Sequence, residues 1–150
     1  MTIFGRLAVF VRPVIGAVWV RFVSYSAVCA AYIQGGINKL TDFQGAIGEM
    51  NHFGLSPAPL FAVLVIILEL GGALMILTGF LRWLAALSLG GFTLVATFMV
   101  LRFWELPEGL ERFVAANSFF EHLGLCGGFL LIAWLDLREK YSGNNKVDNC

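Results

Sequence analysis

Residues 59–80 read PLFAVLVIILELGGALMILTGF, a run of twenty-two with one charged side chain, Glu69, at its middle. An α-helix rises about 1.5 Å per residue, so this run covers roughly 33 Å, enough to cross the ~30 Å hydrocarbon layer of a bilayer. Glu69 then sits roughly 15 Å from either end, near the midplane. A carboxyl at that depth costs several kcal/mol unless it is paired, neutral or hydrated, and it must face the interior of a bundle.

The rest of the chain agrees. The 150 residues are 59% hydrophobic and 13% charged, with a mean hydropathy of +0.81. A soluble domain carries roughly a quarter of its residues as Asp, Glu, Lys and Arg. This chain has too little polar surface to cover a water-soluble globule, so the excess apolar residues face lipid. The formal net charge is zero, which gives no ground for a nucleic-acid partner.

Three further runs are long enough to span: residues 14–38, interrupted by Arg21; 83–104, uncharged until Arg102; and 117–135, opening with Glu121 and His122. The fold expected is an all-α membrane protein, one domain over 1–150 built as a four-transmembrane-helix bundle. A short interfacial segment, Thr2–Pro13, precedes it and a polar, mobile tail, 136–150, follows. Gly79 and Arg82 mark a tight turn, and Glu105–Ala116 reads as a charged loop. Small residues spaced by four (Ala27, Ala31 and Gly35; Gly124 and Gly128), with Gly71–Gly72 and Gly90–Gly91, are expected where helices approach closely.

With four spans, the N-terminus, the Arg82 turn and the C-terminus share one side. That side holds Arg6, Arg12, Arg21, Arg82, Arg138, Lys140 and Lys146, against Lys39, Arg102 and Arg112 on the other. The excess predicts that both termini are cytoplasmic.

Glu69 reads in two ways: as a proton carrier, or as a packing group hydrogen-bonded to a neighbouring helix. Topology collects a second set. Gln34, Asn38, Lys39, Arg102, Glu121 and His122 all fall toward the outer side, where they are expected to shape a polar pocket for a quinone or another small molecule. The plain alternative is a group of interfacial anchors. Headgroup anchoring accounts for Arg21 and Arg82. His52 and His122 are far apart with no ligand spacing, and Cys29, Cys126 and Cys150 are isolated, so no metal site is expected. No P-loop, GxGxxG or Ser–His–Asp arrangement is present.

The segment Gly35-Gly36-Ile37-Asn38-Lys39-Leu40-Thr41-Asp42-Phe43 resembles the end of the first helix in the DoxX family of small bacterial inner-membrane proteins. The likeness continues through Gly54-Leu55-Ser56-Pro57-Ala58-Pro59, the central Glu69, the turn Gly79-Phe80-Leu81-Arg82 and Ala85-Ala86, and covers about residues 18–135. Phe120-Glu121-His122 departs from the aromatic–Lys–Asn element that the family often carries there. The resemblance implies a bacterial inner-membrane location and a link to quinone-dependent redox, as in the membrane subunits of thiosulfate:quinone oxidoreductases. The chain shows no flavin, haem or thiol centre, so electrons would come from other redox subunits in a complex. A non-catalytic accessory subunit packed against a larger membrane complex is the alternative.

Overall fold

The computed structural model describes residues 9 and 11–147, with side chains as far as Lys140 and at Ser142. Most of the expected interfacial segment Thr2–Pro13 lies outside the described residues. The described elements are helical throughout. They are α1 (Val18–Thr41), α2 (Phe43–His52), α3 (Ala58–Ile66), a π-helical turn (Ile67–Gly71), α4 (Gly72–Thr78), α5 (Arg82–Val100), a 3-10 turn (Phe103–Glu105) and α6 (Leu110–Val147).

The α3–π–α4 run is continuous, and Ala58–Thr78, Arg82–Glu105 and Leu110–Lys140 are the three segments long and apolar enough to cross a membrane. The 24 residues of α1 also suffice in length, at roughly 36 Å. Arg21, Gln34, Asn38 and Lys39 make it less apolar than the other three.

The helices meet through a core of Tyr25, Cys29 and Tyr32 from α1, Ala73 and Ile76 from α4, Ala85, Ala86 and Leu89 from α5, and Phe129, Ile132 and Ala133 from α6. Large apolar side chains such as Leu60, Leu64, Ile67 and Leu74 point outward, as lipid-facing positions do. Two of the expected glycine contacts form: a Cβ on Gly72 would come within 2.9 Å of Leu89, and one on Gly90 within 3.2 Å of Phe129. In α1 the spacing of four holds only at Gly35, where an added Cβ would touch the Glu69 carboxylate at 3.5 Å; Ala27 and Ala31 are exposed, and Tyr25, Cys29, Tyr32 and Gly36 are the buried positions. Gly124 and Gly128 have no neighbour within 4 Å of an added Cβ.

The last helix corrects two expectations. It starts at Leu110 rather than at 117, within the stretch read as a charged loop, with Glu111 in its first turn, where a carboxylate favours the helix dipole. At the other end it runs through the expected tail to Val147. Asp136 holds it there. That carboxylate is 5% exposed and pairs with Arg82 at 3.5 Å and Lys140 at 2.9 Å, and it accepts the Trp83 N–H at 3.3 Å.

Arg82 is consequently no headgroup anchor. Its guanidinium donates to the Ile76 carbonyl at 2.8 Å and lies 4.8 Å from the centre of the Tyr25 ring. Gly79, at φ 88°, closes α4 by donating its N–H to Met75, and this left-handed position next to the guanidinium suits glycine. Arg21 pairs with Glu139 at 2.8 Å, both side chains well exposed.

These two pairs differ in worth. Asp136→Ala strands a mostly buried guanidinium and a backbone N–H, and is expected to destabilise the protein by about 1–3 kcal/mol. Glu139→Ala removes an exposed pair and should cost less than about 1 kcal/mol. Thermal unfolding of the two variants in one detergent, compared with the parent, checks the ranking.

Candidate functional site

Glu69 lies on the π-helical turn, the one place where the α3–α4 run departs from α geometry. A π turn inserts an extra residue, widens the helix and re-aims the side chains around it, and such turns recur at functional sites. Here the Glu69 carboxylate points at α1. Lys39 Nζ donates to both of its oxygens, at 3.3 and 3.4 Å. The carboxylate is 8% exposed and the ammonium 17%.

Two glycines make the approach possible. A Cβ on Gly36 would meet Leu70 side-chain carbons at 2.7 Å, and one on Gly35 would touch the Glu69 oxygens at 3.5 and 3.6 Å. The pair Gly35–Gly36 is therefore the groove in α1 that receives the widened turn.

Lys39 has a second partner, Glu49 on α2, at 3.9 Å. Asp42 starts α2 by accepting the Gly45 N–H at 2.9 Å, a helix N-cap. Ala46 and Met50 pack this helix on Ala58 and Ala62, which holds Glu49 above the ion pair.

The pair forms the polar end of a cavity of about 480 Å³, walled by Phe61, Val65, Phe92 and Met99 and reached by Tyr32, Thr93 and His122. Its far wall is a hydroxyl chain whose donors can be assigned. Thr93 donates to the Leu89 carbonyl and Thr97 to that of Thr93. Each threonine has one proton, so Tyr32 donates to Thr93, and His122 Nδ1–H donates to Thr97 at 3.1 Å. In the neutral ring this leaves Nε2 as the acceptor. Among the described residues no buried side-chain N or O lacks a partner.

Of the residues singled out in the sequence, Glu69, Lys39 and His122 line this one cavity. Gln34 and Asn38 lie on exposed faces of α1, and Glu121 is exposed on α6. Arg102 pairs with Glu105 at 3.2 Å in an exposed turn. Tyr32, Glu49, Thr93 and Thr97 were not singled out. The i,i+4 spacing of Thr93 and Thr97 is a weak signal for one helix face, and nothing local points to Glu49.

Apolar helices of spanning length around a cavity with a buried ion pair define an integral membrane protein of the multi-helix class. The sequence profile of the DoxX family matches residues 26–102. The inner membrane protein YqjF of Escherichia coli (strain K12) is 38% identical over 103 residues, which is 68% of this chain and 72% of that protein. The chain belongs to the DoxX family. The profile match takes in Lys39, Glu49 and Glu69 but ends before Glu121 and His122. No solved structure matches.

Contact geometry separates the two glycines. Gly36→Ala forces α1 away from Leu70 and should destabilise the protein by about 1–3 kcal/mol; Gly35→Ala makes only ordinary contacts and should stay within about 1 kcal/mol. Lys39→Met alone strands the carboxylate, so it should melt earlier than the double variant Lys39→Met/Glu69→Leu. Detergent melting curves of the four proteins test both statements.

Proposed function

We propose that this protein is a membrane subunit of a quinone-linked oxidoreductase system, with Glu69 as its proton-accepting carboxyl. The reading places it in the bacterial cytoplasmic membrane, the location in the name of the E. coli relative. Helix α1 counts as a fourth span, and the Arg and Lys distribution puts both termini on the cytoplasmic side.

The observation that carries the reading is the Glu69–Lys39 pair at one end of an apolar cavity of about 480 Å³. A quinone, when bound, accepts electrons and protons. The residues fit such a group: Phe61, Val65, Phe92 and Met99 offer an apolar slot, Lys39 offers a donor for a ring oxygen, and the His122 Nε2 acceptor suits the hydroxyl of the reduced form. Lys39 would orient the head group as a donor. Glu69 would hold the proton, and the apolar walls would exclude bulk water. Electrons would come from a partner subunit, since the chain's own side chains supply no redox centre.

In the assembled complex, Glu69→Gln keeps the shape of the side chain and removes its proton-accepting function. Quinone reduction should fall at least about tenfold, while the variant still assembles with its partner. Unchanged turnover would sink the proposal. The accessory-subunit reading draws on Gly124, Gly127 and Gly128 of α6, which have no neighbour within 4 Å of an added Cβ and so offer a surface for close helix contact. A mild-detergent pull-down that recovers a stoichiometric complex without quinone would favour it.

A further inference from the structure

The cavity is not the only space that reaches Lys39. A second, polar cleft of about 490 Å³ lies between α1 and the start of α2, lined by Asn38, Thr41, Asp42 and Gly45, and it shares Gly35, Lys39 and Glu49 with the cavity. Asn38, Thr41, Asp42, Gly45 and Glu49 are all exposed, so water enters this cleft. Lys39 forms the partition. On its cleft side stands Glu49, 46% exposed and 3.9 Å from Nζ; on its cavity side stands Glu69, 8% exposed and 3.3 Å away.

The opposite direction is closed. From Glu69 toward the Arg82–Asp136 end, the space between the helices is filled by Cys29, Ile76, Ala86, Leu89 and Phe129, each at 0% exposure. Ile76 is two helical turns from Glu69, roughly 10 Å; a proton crosses such a packed layer only along water or a chain of titratable groups, and of the five residues that fill it only Cys29 carries a titratable group. The groups that face Glu69 are Lys39 and Tyr32 from α1, Glu49 from α2 and, across the cavity, His122 from α6. None of them belongs to the sealed end.

We propose that Glu49, Lys39 and Glu69 form a one-sided proton path, open to the aqueous face on which α2 lies and closed to the face that carries Arg82. It rests on the reading of Glu69 as a proton-accepting carboxyl. The Lys39 ammonium passes a proton to the Glu69 carboxylate, leaving a neutral amine beside a neutral acid, a pair that an apolar site tolerates. Glu49, protonated from the cleft water, restores the ammonium and returns to its carboxylate. Charge balances at each step and no electron moves. Glu49 is thus a positioning and relay residue for Glu69, while Asp42 keeps its structural role as the cap of α2.

The test uses the full-length protein in sealed membrane vesicles with inner and outer pH fixed separately. Dicyclohexylcarbodiimide crosses the membrane and modifies protonated carboxyls, and peptide mass spectrometry reads its addition at Glu69. A Thr41→Cys variant, labelled with a membrane-impermeant maleimide, reports which bath meets the cleft. Modification of Glu69 is expected to follow the pH of that bath alone, and Glu49→Gln is expected to slow its response to a pH jump at least fivefold. Glu49→Asp, which keeps a carboxylate, should recover most of the rate and guards against simple misfolding. Modification that follows the other bath, or a wild-type rate in Glu49→Gln, overturns the proposal. Neither readout involves a quinone or an electron donor. One-sided protonation without quinone turnover would therefore sink the redox reading alone, and Glu69-dependent turnover with protonation from the Arg82 side would sink this inference alone.

Discussion

An ammonium and a carboxylate held 3.3 Å apart inside an apolar helix bundle constrain everything around them. Either charge alone is costly at that depth, and removing one leaves the other uncompensated. The pair therefore dictates where α1 meets the α3–π–α4 run. It accounts for a Gly–Gly groove at residues 35 and 36, for a π turn that turns Glu69 toward α1, and for a polar end on an otherwise apolar cavity. Glu49 adds a third charge on the water side, which ties the short helix α2 to the same point.

The other end of the bundle uses the same chemistry for a different purpose. Arg82, Asp136 and Lys140 join the α4–α5 turn to the last helix, with Tyr25 stacked under the guanidinium. Between the two charged clusters lies a layer of fully buried apolar side chains. The molecule accordingly carries a charged cluster at each end, and on the α2 side the exposed cleft and the apolar cavity share Gly35, Lys39 and Glu49.

Much of the architecture was legible because lipid imposes a simple rule: a span must be long and apolar, and a charge within it must be explained. Residues 59–80, 83–104 and the central part of the last helix answer to that rule, as does the importance of Glu69. Boundaries were less legible. Glu111 and Arg112 read as loop although they open a helix, and 136–150 read as a tail because nothing local announces that Asp136 is bound by Arg82, 54 positions away. Within the candidate site, membrane depth brought together Gln34, Asn38, Lys39, Arg102, Glu121 and His122. Helix phase then divided them, turning Lys39 and His122 to the cavity and leaving the others on exposed faces.

The sequence by itself determined that this chain is an all-helical membrane protein with one acid deep in a span, because hydropathy and length depend only on local composition; the likeness to the DoxX family rested on short motifs such as Gly35–Phe43 and Gly54–Pro59. The partner of that acid, the hydroxyl chain opposite it and the position of Glu49 beside Lys39 were decided by tertiary structure. Lys39 and Glu69 are thirty positions apart, and their meeting depends on the rotation of one helix against another, which is set by side-chain packing and a single π turn and is not encoded in any local pattern.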